Sequence, residues 1–118
     1  MKKILVVDDE ESIRLLYQEE LEEQGYEVIV ASDAQEAIEK FIETNPHLVI
    51  LDIKMPGASG IDVLKTIRDK SRDVPVILCT AYGEYKQNFE TWASDAYVVK
   101  SANLEGLMDT VRGILSRT

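Results

Sequence analysis

The chain has 118 residues, enough for one domain, 1–118, around a single core. Thirteen Lys and Arg stand against 22 Asp and Glu, a formal net charge of −9; with no basic cluster to offset it, this acidity repels phosphate backbones and anionic lipid and argues against direct nucleic-acid or membrane binding. No apolar stretch reaches membrane-spanning length, the N-terminus lacks the apolar core of a signal peptide, and one cysteine, Cys79, excludes an intrachain disulfide or a cysteine zinc site, so a reducing, cytoplasmic setting is the expectation.

In chain order, Ile4 to Val7 is the first expected strand. Ile13, Leu16, Tyr17 and Leu21 then recur on one helical face, and Gly25 is a natural stop. Val28 to Ala31 is the second strand. Ser32 or Asp33 can cap a helix whose inner face is Ala34, Ala37, Ile38 and Phe41, and Asn45-Pro46 breaks it. Leu48 to Leu51 is the third strand, followed by a loop with Pro56, Gly57 and Gly60 and by a helical face of Ile61, Leu64 and Ile67. Val76 to Cys79 is the fourth strand; Cys79 sits in its apolar run and reads as a small buried hydrophobe, a reactive thiol being the sharper alternative. A weakly periodic short helix is expected over Tyr85 to Ala93, and Tyr97 to Val99 is the fifth strand. Leu104, Leu107, Met108, Val111, Ile114 and Leu115 form the clearest helical stripe, read as core.

Five βα units in a row predict an α/β fold, a doubly wound, five-stranded parallel sheet with helices on both faces. Right-handed crossovers leave few topologies for so short a chain. Ligands of such sheets bind beyond the carboxyl ends of the strands. Asp8, Asp9 and Glu10 follow the first strand, Asp52 the third, Thr80 the fourth and Lys100 the fifth. Each alone has an ordinary reading: a turn former, a helix cap for Asp8 or Asp9, a solvated hydroxyl, a surface ammonium. Placed after four strands of one sheet, they bring carboxylates, a hydroxyl and an ammonium into one small space. Carboxylates so close repel unless a cation sits among them, and hard oxygen ligands with room for water suit Mg2+. A carboxylate is also a competent nucleophile toward phosphorus. Mg2+, the Lys100 ammonium, and the Thr80 hydroxyl with a backbone N–H can then neutralise the three equatorial oxygens.

Over essentially its whole length the chain resembles the receiver domains of bacterial two-component response regulators, whose fold is the flavodoxin-like (βα)5 arrangement. The resemblance is carried jointly by Ile4-Leu5-Val6-Val7-Asp8-Asp9-Glu10, by Leu51-Asp52-Ile53-Lys54-Met55-Pro56-Gly57 with Gly60, by Thr80-Ala81-Tyr82-Gly83, and by Tyr97-Val98-Val99-Lys100. It implies Asp52 as phosphoacceptor, Asp9, Asp52 and the Lys54 carbonyl as direct Mg2+ ligands, and Asp8 acting mostly through water. It implies that Thr80 and Lys100 read the phosphoryl group and that Tyr97 is the switch aromatic, whose ordinary reading is a half-buried strand residue. The implied donor is a phosphohistidine on a sensor histidine kinase or a histidine phosphotransfer protein, and the output a downstream protein target. The chain would promote its own phosphorylation and slow dephosphorylation without acting on a separate substrate. Lys54 and Tyr82, near the mouth of the site, would slow that loss. Two departures stand out: Ser101 follows Lys100 where the family usually has a cis proline, and the stretch from Thr80 to Lys100 is a residue or two shorter than in many relatives. Serine forfeits most of proline's reduced cis penalty, so a trans Lys100–Ser101 bond with a shifted lysine is the expectation.

Three other readings compete. A phosphatase of the haloacid-dehalogenase type would carry a second Asp where Lys54 stands. A flavin carrier needs a hydroxyl- and glycine-rich loop where Asp8-Asp9-Glu10-Glu11 would repel the phosphate. A receiver-like module that binds partners without accepting phosphate is kept open by Ser101. No effector domain is present, so the chain is read as either a whole single-domain regulator or a piece of a longer one.

Overall fold

Short β-branched runs alternating with helical periods build one sheet in the computed structural model, which describes residues 1–53, 60–80, 96–99 and 104–116, residues 80 and 96–99 by their backbone alone. The strands are β1 (Lys3–Val7), β2 (Glu27–Ala31), β3 (Leu48–Asp52), β4 (Val76–Thr80) and β5 (Ala96–Val99). The described helices are α1 (Glu11–Glu23), α2 (Ala34–Thr44), α3 (Gly60–Lys70) and α4 (Glu105–Leu115). All four strand pairings are parallel, in the order β2-β1-β3-β4-β5. The chain leaves β1 toward β2 on one side and returns past β1 to β3 on the other, so the strand order reverses between β1 and β3.

Alternation along the strands splits the core into two layers. Ile4, Val6, Leu48, Ile50, Ile77 and Cys79 meet Tyr17 and Leu21 of α1 and Leu107, Met108, Val111, Ile114 and Leu115 of α4. Leu5, Val7, Val49, Leu51, Val76 and Leu78 meet Ala37 and Phe41 of α2 and Ile61, Val63, Leu64 and Ile67 of α3. β3, central in the sheet, is buried at every position, whereas β2 is an edge strand with Glu27 exposed and Val28 to Val30 half-buried. Each fully buried Leu, Ile or Val contributes roughly 1.5–3 kcal/mol relative to exposure, so the doubly covered strands dominate the stability.

The helix ends follow local chemistry. Asp33 accepts from the Glu36 N–H at 2.8 Å while the Glu36 carboxylate accepts from the Ser32 N–H at 2.8 Å, a reciprocal cap at the start of α2. Asn45 closes α2 in the left-handed region (φ 49°), and Gly25 takes φ 94° after α1.

Three sequence expectations are corrected. Leu16 was expected on the inner face of α1, yet it is 40% exposed and Leu15 56%. Ile13, Tyr17 and Leu21, spaced by four, already fill the stripe, and Leu16 stands a 100° step aside from Tyr17, bordering a groove with Leu104 and Met108. Gly60 belongs to the first turn of α3, not to the loop. Asp52 and Thr80 close their strands as the last paired residues, where the expectation put them just beyond. The short helix expected over Tyr85 to Ala93 lies outside the described residues, as does the Lys100–Ser101 bond.

Candidate functional site

The carboxyl edge of the sheet at the β1/β3 reversal is built almost wholly from backbone pairing. Val7 is opposite Leu51, Asp52 opposite Cys79, and Thr80 opposite Val99. The Asp8 N–H donates to the Ala31 carbonyl at 3.1 Å, carrying the β1–β2 pairing one residue further. Asp8 and Asp52 therefore follow directly on a register pair of adjacent strands, and both continue the side that carries Val6 and Ile50.

Burial singles these two out. Asp8 is 2% exposed and Asp52 5%, and they are the buried charged residues among the described ones. Burying a carboxylate is costly unless hydrogen bonds or a cation compensate. Part of the compensation is local: an Asp8 carboxylate oxygen accepts from the Glu10 N–H at 2.9 Å. The Arg14 guanidinium donates to the Asp8 carbonyl oxygen at 2.7 Å, pinning the turn between β1 and α1 from one helical turn in.

Carboxylate oxygens of Asp8, Asp9 and Glu10 lie within 4.8 Å of one another, Asp8 buried and the other two exposed. An inner buried carboxylate with outer, water-facing ones is an all-oxygen donor set of the kind that holds a hard divalent cation while leaving it some water. Glu10 was not among the ligands expected; it also serves as the N-cap residue of α1 without a side-chain cap bond, so neither Asp8 nor Asp9 takes that place.

The remaining expected residues fall unevenly. Thr80 ends β4 beside the residue opposite Asp52. Tyr97 lies in β5 opposite Leu78. Lys100 comes directly after β5, and it and Lys54 lie outside the described residues. Gly60 is pressed against the phosphoacceptor candidate: its N–H donates to the Ile53 carbonyl at 2.7 Å, and the Asp52 carbonyl occupies the space a Cβ there would need. Two contributors escaped the sequence reading. Arg14 had no signal beyond its spacing from Asp8. Periodicity places Tyr17 in the core but gives no sign that its hydroxyl meets the Cys79 sulfur at 3.4 Å. Burial, the Cys79 thiol and then the Asp8 and Asp52 carboxylates all push the Tyr17 phenol up from its ordinary value.

Comparison with known proteins agrees with this geometry. The response regulator TrrA of Thermotoga maritima, solved in complex with Mg2+ and beryllium fluoride, is 51% identical, with a TM-score of 0.94 over 97% of this chain and 99% of that one. TrrA in complex with the histidine kinase ThkA superimposes with a TM-score of 0.91 at 51% identity over 98% of this chain and 99% of that one. The alkaline phosphatase synthesis transcriptional regulatory protein PhoP of Bacillus subtilis is 41% identical over 99% of this chain but only 50% of its own length. The chain spans about half the length of the curated relatives it matches. The response regulator receiver domain family matches residues 4–112. With that match, the parallel five-stranded sheet and the buried aspartates at its switch point, the chain belongs to the response regulator receiver domains of two-component systems.

Proposed function

We propose that residues 1–118 act as one receiver domain that accepts a phosphoryl group on Asp52. The observation that carries this reading is the burial of Asp52 beside Asp8 at the strand-order reversal, where a carboxylate stands costly but directed. An Asp52 carboxylate oxygen attacks the phosphorus of a phosphohistidine on a sensor histidine kinase or phosphotransfer protein. The P–N bond breaks, its electron pair goes to the imidazole, which takes up a proton, and an aspartyl phosphate remains. Thr80, at the end of β4, and Lys100, after β5, hold two of the phosphoryl oxygens. Asp9 and Asp52, with the Lys54 carbonyl, would hold Mg2+ directly and Asp8 would hold it through water; when bound, the ion neutralises charge on the phosphoryl oxygens.

The signal is conformational. Thr80 moves toward the phosphoryl group and Tyr97 turns inward, altering the surface offered to a downstream protein target. The chain hydrolyses its own aspartyl phosphate slowly and has no separate substrate. It works in the cytoplasm. Among the described residues no helix is long and apolar enough to cross a membrane.

Incubation with acetyl phosphate and Mg2+, followed by intact-mass measurement, tests this. The wild type gains one phosphoryl group, Asp52→Asn gains none, and chelation of Mg2+ suppresses the gain. An undiminished gain in Asp52→Asn, mapped away from other aspartates, refutes the assignment.

A further inference from the structure

Tyr17 holds a polar group that the phosphoryl chemistry above does not use. It is 3% exposed, in the layer between the sheet, α1 and α4. A phenylalanine would bury the same ring without the cost of desolvating a hydroxyl. The hydroxyl is instead spent on one partner, Cys79 Sγ, at 3.4 Å.

The position of Cys79 gives this bond its meaning. Cys79 is opposite Asp52 in register and immediately precedes Thr80. Ile50 and Ile77 belong to the same layer as Tyr17, so Asp52 and Cys79, each two residues on, continue that side of the sheet. Asp8, two residues after Val6, continues it on β1. Asp8, Asp52 and Cys79 thus form a row across the carboxyl edge of three adjacent strands, and Tyr17 meets the Cys79 end of it. That both carboxylates act on the phenol agrees with this placement. The helix that supplies Tyr17 begins directly after Asp8, Asp9 and Glu10, so one rigid element joins the acidic turn to the end of β4.

We propose that Tyr17 is a positioning residue for phosphoryl transfer: its hydroxyl, bonded to Cys79, ties α1 to β4 and fixes where the Thr80 backbone stands beside Asp52. The inference rests on the reading of Asp52 as phosphoacceptor and of Thr80 as hydrogen-bond donor to a phosphoryl oxygen. Tyr17 acts through Thr80, the residue next to its partner Cys79, and small displacements of such donors cost large factors in rate.

The test measures labelling by acetyl phosphate at several Mg2+ concentrations, with melting curves to verify folding. Tyr17→Phe and Cys79→Ala should each lower the limiting labelling rate by about tenfold, with half-saturating Mg2+ within about twofold of wild type because the acidic ligands are untouched. The double variant should be no slower than the slower single one, since both remove the same bond. Cys79→Ser keeps a partner for the phenol and should restore most of the rate. In a Thr80→Ala background, Tyr17→Phe should slow labelling no further. A folded Tyr17→Phe labelled at the wild-type rate overturns the inference, as does an equal slowing with and without the Thr80 hydroxyl. An unlabelled wild type overturns the reading of Asp52 itself, and this inference with it.

Discussion

Gly60 and Asp52 are in backbone contact so close that a Cβ on residue 60 would lie 1.9 Å from the Asp52 carbonyl oxygen and 2.9 Å from the Ile53 Cα. The obstacle is main chain on both counts, at the end of a strand that is buried at every position. Gly60→Ala therefore has to push α3 away or bend the end of β3, at a cost of about 3 kcal/mol. The melting temperature should fall by roughly 10 °C, and labelling of Asp52 should slow at temperatures where the variant is still folded. A Gly60→Ala protein that melts and labels like wild type would show that the contact relaxes freely.

Mg2+ should stabilise the fold, because the unfolded chain cannot gather the acidic turn. At ten times the dissociation constant the gain is roughly 1.4 kcal/mol. Asp9→Ala should remove most of the gain, since it deletes a water-facing carboxylate of the cluster that holds Asp8 and Glu10. Calorimetry of both proteins with and without millimolar Mg2+ decides it; an unshifted wild type, or an equal shift in Asp9→Ala, places the ion elsewhere.

Asp33→Ala should cost about 1 kcal/mol through loss of the α2 cap. The melting temperature should drop by roughly 4 °C while acetyl phosphate labelling at 25 °C stays unchanged, because α2 packs on the sheet face opposite Tyr17 and Cys79. Asp33→Asn, which retains an acceptor, should recover most of the loss. Chemical denaturation of the three proteins separates the cap from any effect of charge.

Tyr17 predicts an alkaline limit. Its folded-state value is raised, chiefly by burial, so the folded chain keeps the phenol proton after the unfolded chain begins to lose it near pH 10. The unfolded state then binds fewer protons, and stability falls as pH rises through that range. Below it, the contribution is constant. Tyr17→Phe has no such proton, so its stability should decline less than that of wild type between pH 9 and about pH 11. Parallel denaturation curves across this interval check the sign.

The lifetime of the aspartyl phosphate should be long. Lys54 is two residues after Asp52 and Tyr82 two after Thr80; neither offers a carboxylate or amide to orient an in-line water, and both are bulky. Lys54→Asn and Tyr82→Ala should each lose phosphate faster than wild type. Decay of the phosphorylated proteins by intact mass settles it, and equal lifetimes in all three remove the shielding role.

Apolar runs of strand length set between segments of helical period were enough to place the five strands within a residue or so at each end, and the punctuation at Gly25, Asn45 and Asp33 located helix ends that the structure repeats. These are local effects: an apolar run, a left-handed conformation and a cap bond each depend on a few neighbouring residues. That Asp8 and Asp52 reach the sheet edge was legible for the same reason, because a carboxylate at the end of an apolar strand is carried there by the strand itself.

Other features depended on residues far apart in the chain. That Leu16 borders a groove with Leu104 and Met108 depends on α4, which arrives some 90 residues later. Gly60 looked like an ordinary loop glycine until α3 was seen to start against the Asp52 carbonyl. Tyr17 and Cys79 are separated by 62 positions and each reads alone as core. Periodicity assigns a side chain to a face, but it does not say which atom will oppose it there. Only the β3–β4 register, which sets Cys79 against Asp52, and the packing of α1 over that row brought a phenol to the sulfur opposite the buried Asp52.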